Sequence, residues 1–160
     1  MAELTRLYEE QGFNNITTYI QSGNVIFESN VKSNMKLQKK IESAVFEKYK
    51  FHVSVDIRTH KGIADIVSRC PFTEVKNEAN GKKVLVTFLQ TVAKKSDLEH
   101  LHEYVKPPER LIQDGKAIYL YCPNGYGKSR LTNAFIENKL STIATTRNWK
   151  TVLKLAELSG

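Results

Sequence analysis

This 160-residue chain reads twice, and that repetition constrains its fold more than any other feature. Ser22-Gly23 and Asp114-Gly115 each lie between two β-rich runs, and their glycines are 92 residues apart. Ile16–Gln21 with Asn24–Glu28, and Arg110–Gln113 with Lys116–Tyr121, therefore read as β-hairpins. The flanking elements recur at a similar offset. In the first half a helix over 2–11, ended by Gly12, precedes the hairpin. A helix over 34–49 follows, with Ser33 as its N-cap and Leu37, Ile41, Ala44 and Val45 as its buried stripe. Val53, Val55 and Ile57 alternate as in a strand, and a short helix carrying Ile63, Ile66 and Val67 stops before Pro71.

The second half opens on a strand, Lys83–Leu89. Ser96 and Glu99 predict a capping box for a helix reaching Val105, and Pro107-Pro108 breaks the chain before the hairpin. A Gly-rich turn leads into a helix over about 129–139, a short strand at Ser141–Thr145, and a last helix over 147–158. The order βαββαβ is the ferredoxin-like pattern, an antiparallel sheet with helices on one face. The expected fold is α+β: two such halves in tandem, 1–72 and 82–160, joined by a polar linker at 73–81, through an internal duplication. The first half lacks the counterpart of Lys83–Leu89, a strand that is central in this pattern. From this, Met1 is expected to be an internal methionine, with the natural chain starting upstream.

Several stretches together resemble one family. They are Met1-Ala2-Glu3-Leu4, the run from Thr18 to Phe27, the run from Gly125 to Asn133, and Thr145-Thr146-Arg147-Asn148-Trp149. They look like the bacterial family catalogued as domain of unknown function 1697, and the resemblance covers essentially the whole chain. It implies two similar α+β halves and no established activity. Members resembling this chain usually begin with a strand and a Gly-rich Arg-Gly-Ile-Asn loop before the Met-Ala-Glu-Leu helix, and both are absent here.

Charge gives the first functional hint. The formal net charge is +7, and it is unevenly spread. Residues 1–80 hold 11 Lys/Arg against 10 Asp/Glu, while residues 81–160 hold 13 against 7. Over 116–154, Lys116, Lys128, Arg130, Lys139, Arg147, Lys150 and Lys154 face only Glu137. Such asymmetry points to an anionic partner, or to a merely solvated basic face. No run reaches the ~18 apolar residues of a membrane-spanning helix, so no membrane partner is expected. The N-terminus has no signal-peptide pattern, and Cys70 and Cys122 make no disulfide framework or CxxC, so a cytoplasmic protein with reduced thiols is expected.

The sharpest motif is Cys122-Pro123-Asn124-Gly125-Tyr126-Gly127-Lys128-Ser129. Gly127-Lys128-Ser129 fits the end of a P-loop, but Cys122 stands where the first glycine belongs, and a hairpin strand precedes it where a P-loop needs a parallel sheet. What remains is an anion site at a helix N-terminus, formed by Gly125, Gly127, Lys128, Ser129 and Arg130. Arg147 and Asn148, at the start of the last helix, would supply a second anion-binding end. The plainer alternative is turn chemistry at the glycines, with Ser129 as N-cap. Tyr126 and Trp149 are candidates for base stacking, against the simpler reading of Trp149 as the core anchor of its helix. Tyr119 and Tyr121 likewise read as core tyrosines or stacking platforms. The four histidines show no metal-ligand spacing, and no metal or cofactor is expected.

No catalytic set is visible. The expectation is a binding module for a phosphate-bearing ligand, nucleic acid or nucleotide. The alternatives are a small-molecule enzyme with a site between the halves, and a domain that forms homo-oligomers through an exposed sheet edge.

Overall fold

The protein is described by a computed structural model that covers residues 2–19, 23–72 and 83–160. The first hairpin's residues 20–22 and the expected linker at 73–81 lie outside the described residues. The chain forms two compact units, Met1–Ile63 with Leu155–Gly160, and Ala64–Lys154.

The first unit holds helix α1 (Ala2–Glu10), strands β1 (Asn14–Tyr19) and β2 (Asn24–Glu28), and helix α2 (Asn34–Tyr49). Gly12, at φ 86°, takes the left-handed conformation that ends α1, and its N–H donates to the Glu9 carbonyl. α2 follows its sequence signals closely. The Ser33 side chain accepts from the Lys36 N–H, and Leu37, Ile41, Ala44 and Val45 are its buried residues. They join Leu7, Tyr8 and Phe13 in one core cluster, against which Val25 and Phe27 pack from β2. β1 and β2 pair antiparallel, with an irregularity between Asn14 and Thr17 where Asn15 adopts φ 51°.

Val53–Ile57 departs from expectation. Val53, Val55 and Ile57 do pack against this core, but the segment enters no strand ladder. The reason lies in the order of the pattern. The fourth strand of a ferredoxin-like sheet pairs only with the first, and the described residues of this unit contain no such strand. Glu42 on α2 accepts the Val55 N–H instead, at 2.9 Å. Helix α3 (His60–Ser68) follows.

The second unit contains strand β3 (Val84–Leu89), helix α4 (Lys95–His102), strands β4 (Arg110–Asp114) and β5 (Ala117–Tyr121), helix α5 (Asn133–Leu140), strand β6 (Ala144–Asn148) and the beginning of helix α6 (Trp149–Ser159). The sheet runs β4-β5-β3-β6 and is antiparallel throughout. That is the ferredoxin-like order, with β3 central and all six of its residues buried. Gly115, at φ 58°, makes the β4–β5 turn.

Pleating sends Leu85 and Leu89, with Ile118, Leu120 and Ala144, into one core, joined there by Leu101 from α4 and by Ile136 and Leu140 from α5. Tyr119 lies on the opposite face. It is only 1% exposed, and its hydroxyl donates to the Ile66 carbonyl at 2.8 Å. It is therefore a core tyrosine and offers no platform.

Three boundaries differ from the sequence reading. α4 starts at Lys95 with Lys94 as an N-cap that makes no side-chain bond, so Ser96 lies inside the first turn instead of capping it. α5 starts at Asn133, not near 129. Arg147 belongs to β6, which runs to Asn148, and α6 begins only at Trp149.

Candidate anion-binding site

The turn after β5 is built by short-range backbone bonds. The Cys122 N–H donates to the Lys83 carbonyl at 2.7 Å, and the Gly125 N–H to the Cys122 carbonyl at 3.0 Å. Gly125 sits at φ 98°, a conformation that a side chain would strain. Tyr126–Lys128 then form one turn of 3-10 helix, closed by the Lys128 N–H on Gly125 and the Ser129 N–H on Tyr126. The Ser129 hydroxyl accepts from the Leu131 N–H at 3.0 Å, while Thr132 caps α5 by accepting from the Phe135 N–H.

Ser129 is therefore not the N-cap, and Gly125, Gly127 and Lys128 stand several residues before the α-helix. The N–H groups of Lys128 and Ser129 are spent within the turn.

Cys122 is fully buried, and its thiol is pushed up to about 12, chiefly by burial, with Glu109 reinforcing and the Ser129 hydroxyl opposing. A thiol so placed stays protonated at neutral pH and is no nucleophile. The Tyr126 ring packs against the α4–α5 side of the core. Its buried hydroxyl makes no well-formed hydrogen bond, although the Thr146 hydroxyl is near enough to oppose part of the effect of burial. Burial prevails, and the phenol is raised.

Sheet register brings the two predicted anion sites to one end of the sheet. Tyr121 lies opposite Val84, and Asn148 opposite Leu85, so β5 and β6 both end beside the start of β3. Two strand spacings, about 10 Å, separate them. Side-chain direction then divides them. Thr146 faces α5, where its hydroxyl donates to Asn133 Oδ1 and bonds Thr87 at 2.8 Å. Alternation turns Arg147 to the other face, where its Nη1 donates to the Thr146 carbonyl. Asn148 Oδ1 accepts from the Thr151 N–H, which makes Asn148 the N-cap of α6. Trp149 is 3% exposed, so its ring has no open face for a base.

A different convergence appears on the helical side. Tyr104, just past α4, packs edge-on against Phe135 of α5, with ring centroids 5.1 Å apart. The Arg130 guanidinium lies 5.7 Å from the Tyr104 centroid. Lys139 Nζ lies 4.9 Å from the same centroid and 5.5 Å from that of Phe135. His100 meets Tyr104 edge-on and is within 3.4 Å of Glu103. Among the described residues, neither Arg130 nor Lys139 has a carboxylate oxygen within 4.0 Å. Of the predicted residues, the structure thus sets Arg130 in a cationic–aromatic cluster, with Lys128 exposed on the preceding turn. Sequence reasoning missed Tyr104 and Phe135. The i, i+4 spacings His100–Tyr104 and Phe135–Lys139 were the available signal.

Among the described residues no group of three His, Cys, Asp or Glu side chains is placed to hold a metal, and no helix is long and apolar enough to cross a membrane. Comparison with solved structures finds a conserved bacterial protein, SP0830, from Streptococcus pneumoniae. It is 20% identical with a TM-score of 0.76, and the match covers all of this chain and 88% of that one. At that identity the likeness shows a shared α+β fold. No curated protein matches. The family described as "Protein of unknown function (DUF1697)" matches residues 1–119, close to three quarters of the chain. On that match, together with the shared α+β architecture, the chain belongs to the DUF1697 family.

Proposed function

We propose that this protein is a binding module for a phosphate-bearing ligand, nucleotide or nucleic acid, held by cationic side chains of the second unit and not by a helix end. One observation carries the reading. Arg130, from the turn after β5, and Lys139, from α5, meet at the single ring of Tyr104, with no carboxylate ion-paired to either among the described residues. Two cations held together without neutralisation repel each other, and an anion between them relieves that repulsion. Lys128 adds a third cation on the adjoining turn. Arg147 and Asn148 contribute less, since one turns to the other sheet face and the other caps α6. The free thiols Cys70 and Cys122 fit a reducing compartment such as the cytoplasm.

The test is titration calorimetry with linear polyphosphate at low and moderate salt. The wild-type chain should bind more weakly as salt rises. An Arg130→Ala/Lys139→Ala variant should lose about tenfold in affinity and show a salt slope shallower by about 1.4, from roughly 0.7 per phosphate contact. Absence of binding at low salt, or a double variant that binds as the wild type does, would overturn the proposal.

A further inference from the structure

The composition of the Tyr104 cluster points beyond phosphate alone. A site for bare phosphate needs donors and charge. This one adds two part-buried aromatic rings, with Arg130 and Lys139 both against Tyr104 and Lys139 also against Phe135. We infer, resting on the anion-binding reading above, that the ligand is single-stranded nucleic acid, with Tyr104 as base platform and Arg130 and Lys139 as flanking phosphate contacts.

Three physical points support this. First, aromatic side chains among cations are the recurrent device for single strands, because every base has a π-face while the backbone follows positive charge. Second, a duplex hides those faces within its own stack, so the rings would be idle against it. Third, Arg130 and Lys139 rest on the ring by cation–π contact in the free protein. An arriving base takes the ring face, and the displaced cation takes the phosphate of the same strand. A weak contact is thereby exchanged for two stronger ones, and the groups involved are already gathered.

The experiment uses the full chain and a fluorescein-labelled oligothymidine, read by anisotropy. Its annealed duplex and linear polyphosphate serve as competitors. The expected result is binding of the single strand about tenfold tighter than of the duplex. Tyr104→Leu should weaken the oligothymidine about tenfold and leave polyphosphate unchanged, while Tyr104→Phe keeps both. If Tyr104→Leu fails to fold, photocrosslinking of a bromodeoxyuridine-bearing strand to the wild-type chain replaces it, with Tyr104 or Phe135 expected as the adduct. Equal affinity for duplex and single strand, equal effects of Tyr104→Leu on both ligands, or adducts elsewhere would overturn the base platform and leave the anion site standing. Failure to bind any polyanion would remove both.

Discussion

Cys122, Tyr8 and Tyr119 are buried, and this governs how each titrates. The Cys122 thiol moves from an ordinary value of 9.0 to about 12, and both phenols from 10.0 to about 12, with burial the leading cause in each case. The Asp114 carboxylate adds to the shift at Tyr119. In all three groups the folded state favours the neutral form. The unfolded chain therefore loses these protons at lower pH than the folded one does. Their stabilising contribution is intact below about pH 9 and is lost as pH rises from there toward 12. The urea midpoint should accordingly fall between about pH 9 and about pH 12, first through Cys122 and then through the tyrosines. A Cys122→Ala variant should show a smaller fall over the lower part of that range.

At the scale of elements, the decisive detail is where α5 begins. Ser129 and Thr132 are both plausible caps by residue type, and only the 3-10 turn at Tyr126–Lys128 decides between them. Thr132→Ala should cost about 1 kcal/mol of stability, the usual worth of an N-cap, and Ser129→Ala well under half of that, read by urea denaturation. The reverse ranking would restore the sequence reading. The same contrast explains what was legible. α2 could be read from its residues because cap, stripe and length agree with one another. The ββ hairpin of the second half could be read because Asp114-Gly115 has one preferred geometry. The missing ladder at Val53–Ile57 could not be read from its own residues. Alternation records which side chains face a core, whereas pairing needs a neighbouring strand that local sequence does not report. The Tyr104 cluster escaped for a similar reason. Its cations come from separate elements, and only the packing of α4 on α5 joins them.

Across the whole molecule, one strand bears a disproportionate share of the architecture. β3 pairs with β5 on one side and β6 on the other, and it is buried on both faces. A strand in that position must be free of charge and leave no polar group unpaired; Val84-Leu85-Val86-Thr87-Phe88-Leu89 has no charge, proline or glycine, and its one hydroxyl, on Thr87, bonds Thr146. The same six residues carry a colloidal hazard. Once out of the sheet they form a short, uncharged, β-favouring segment of the kind that stacks with copies of itself into cross-β fibrils. Lys82 and Lys83, directly before the segment, are its charged gatekeepers. Held at a urea concentration near its midpoint, the protein should develop thioflavin fluorescence with a concentration-dependent lag. Thr87→Lys should suppress this, with an isolated peptide of residues 83–89 as the control for a segment-intrinsic effect. Solubility during synthesis thus depends on how quickly β5 and β6 close over β3.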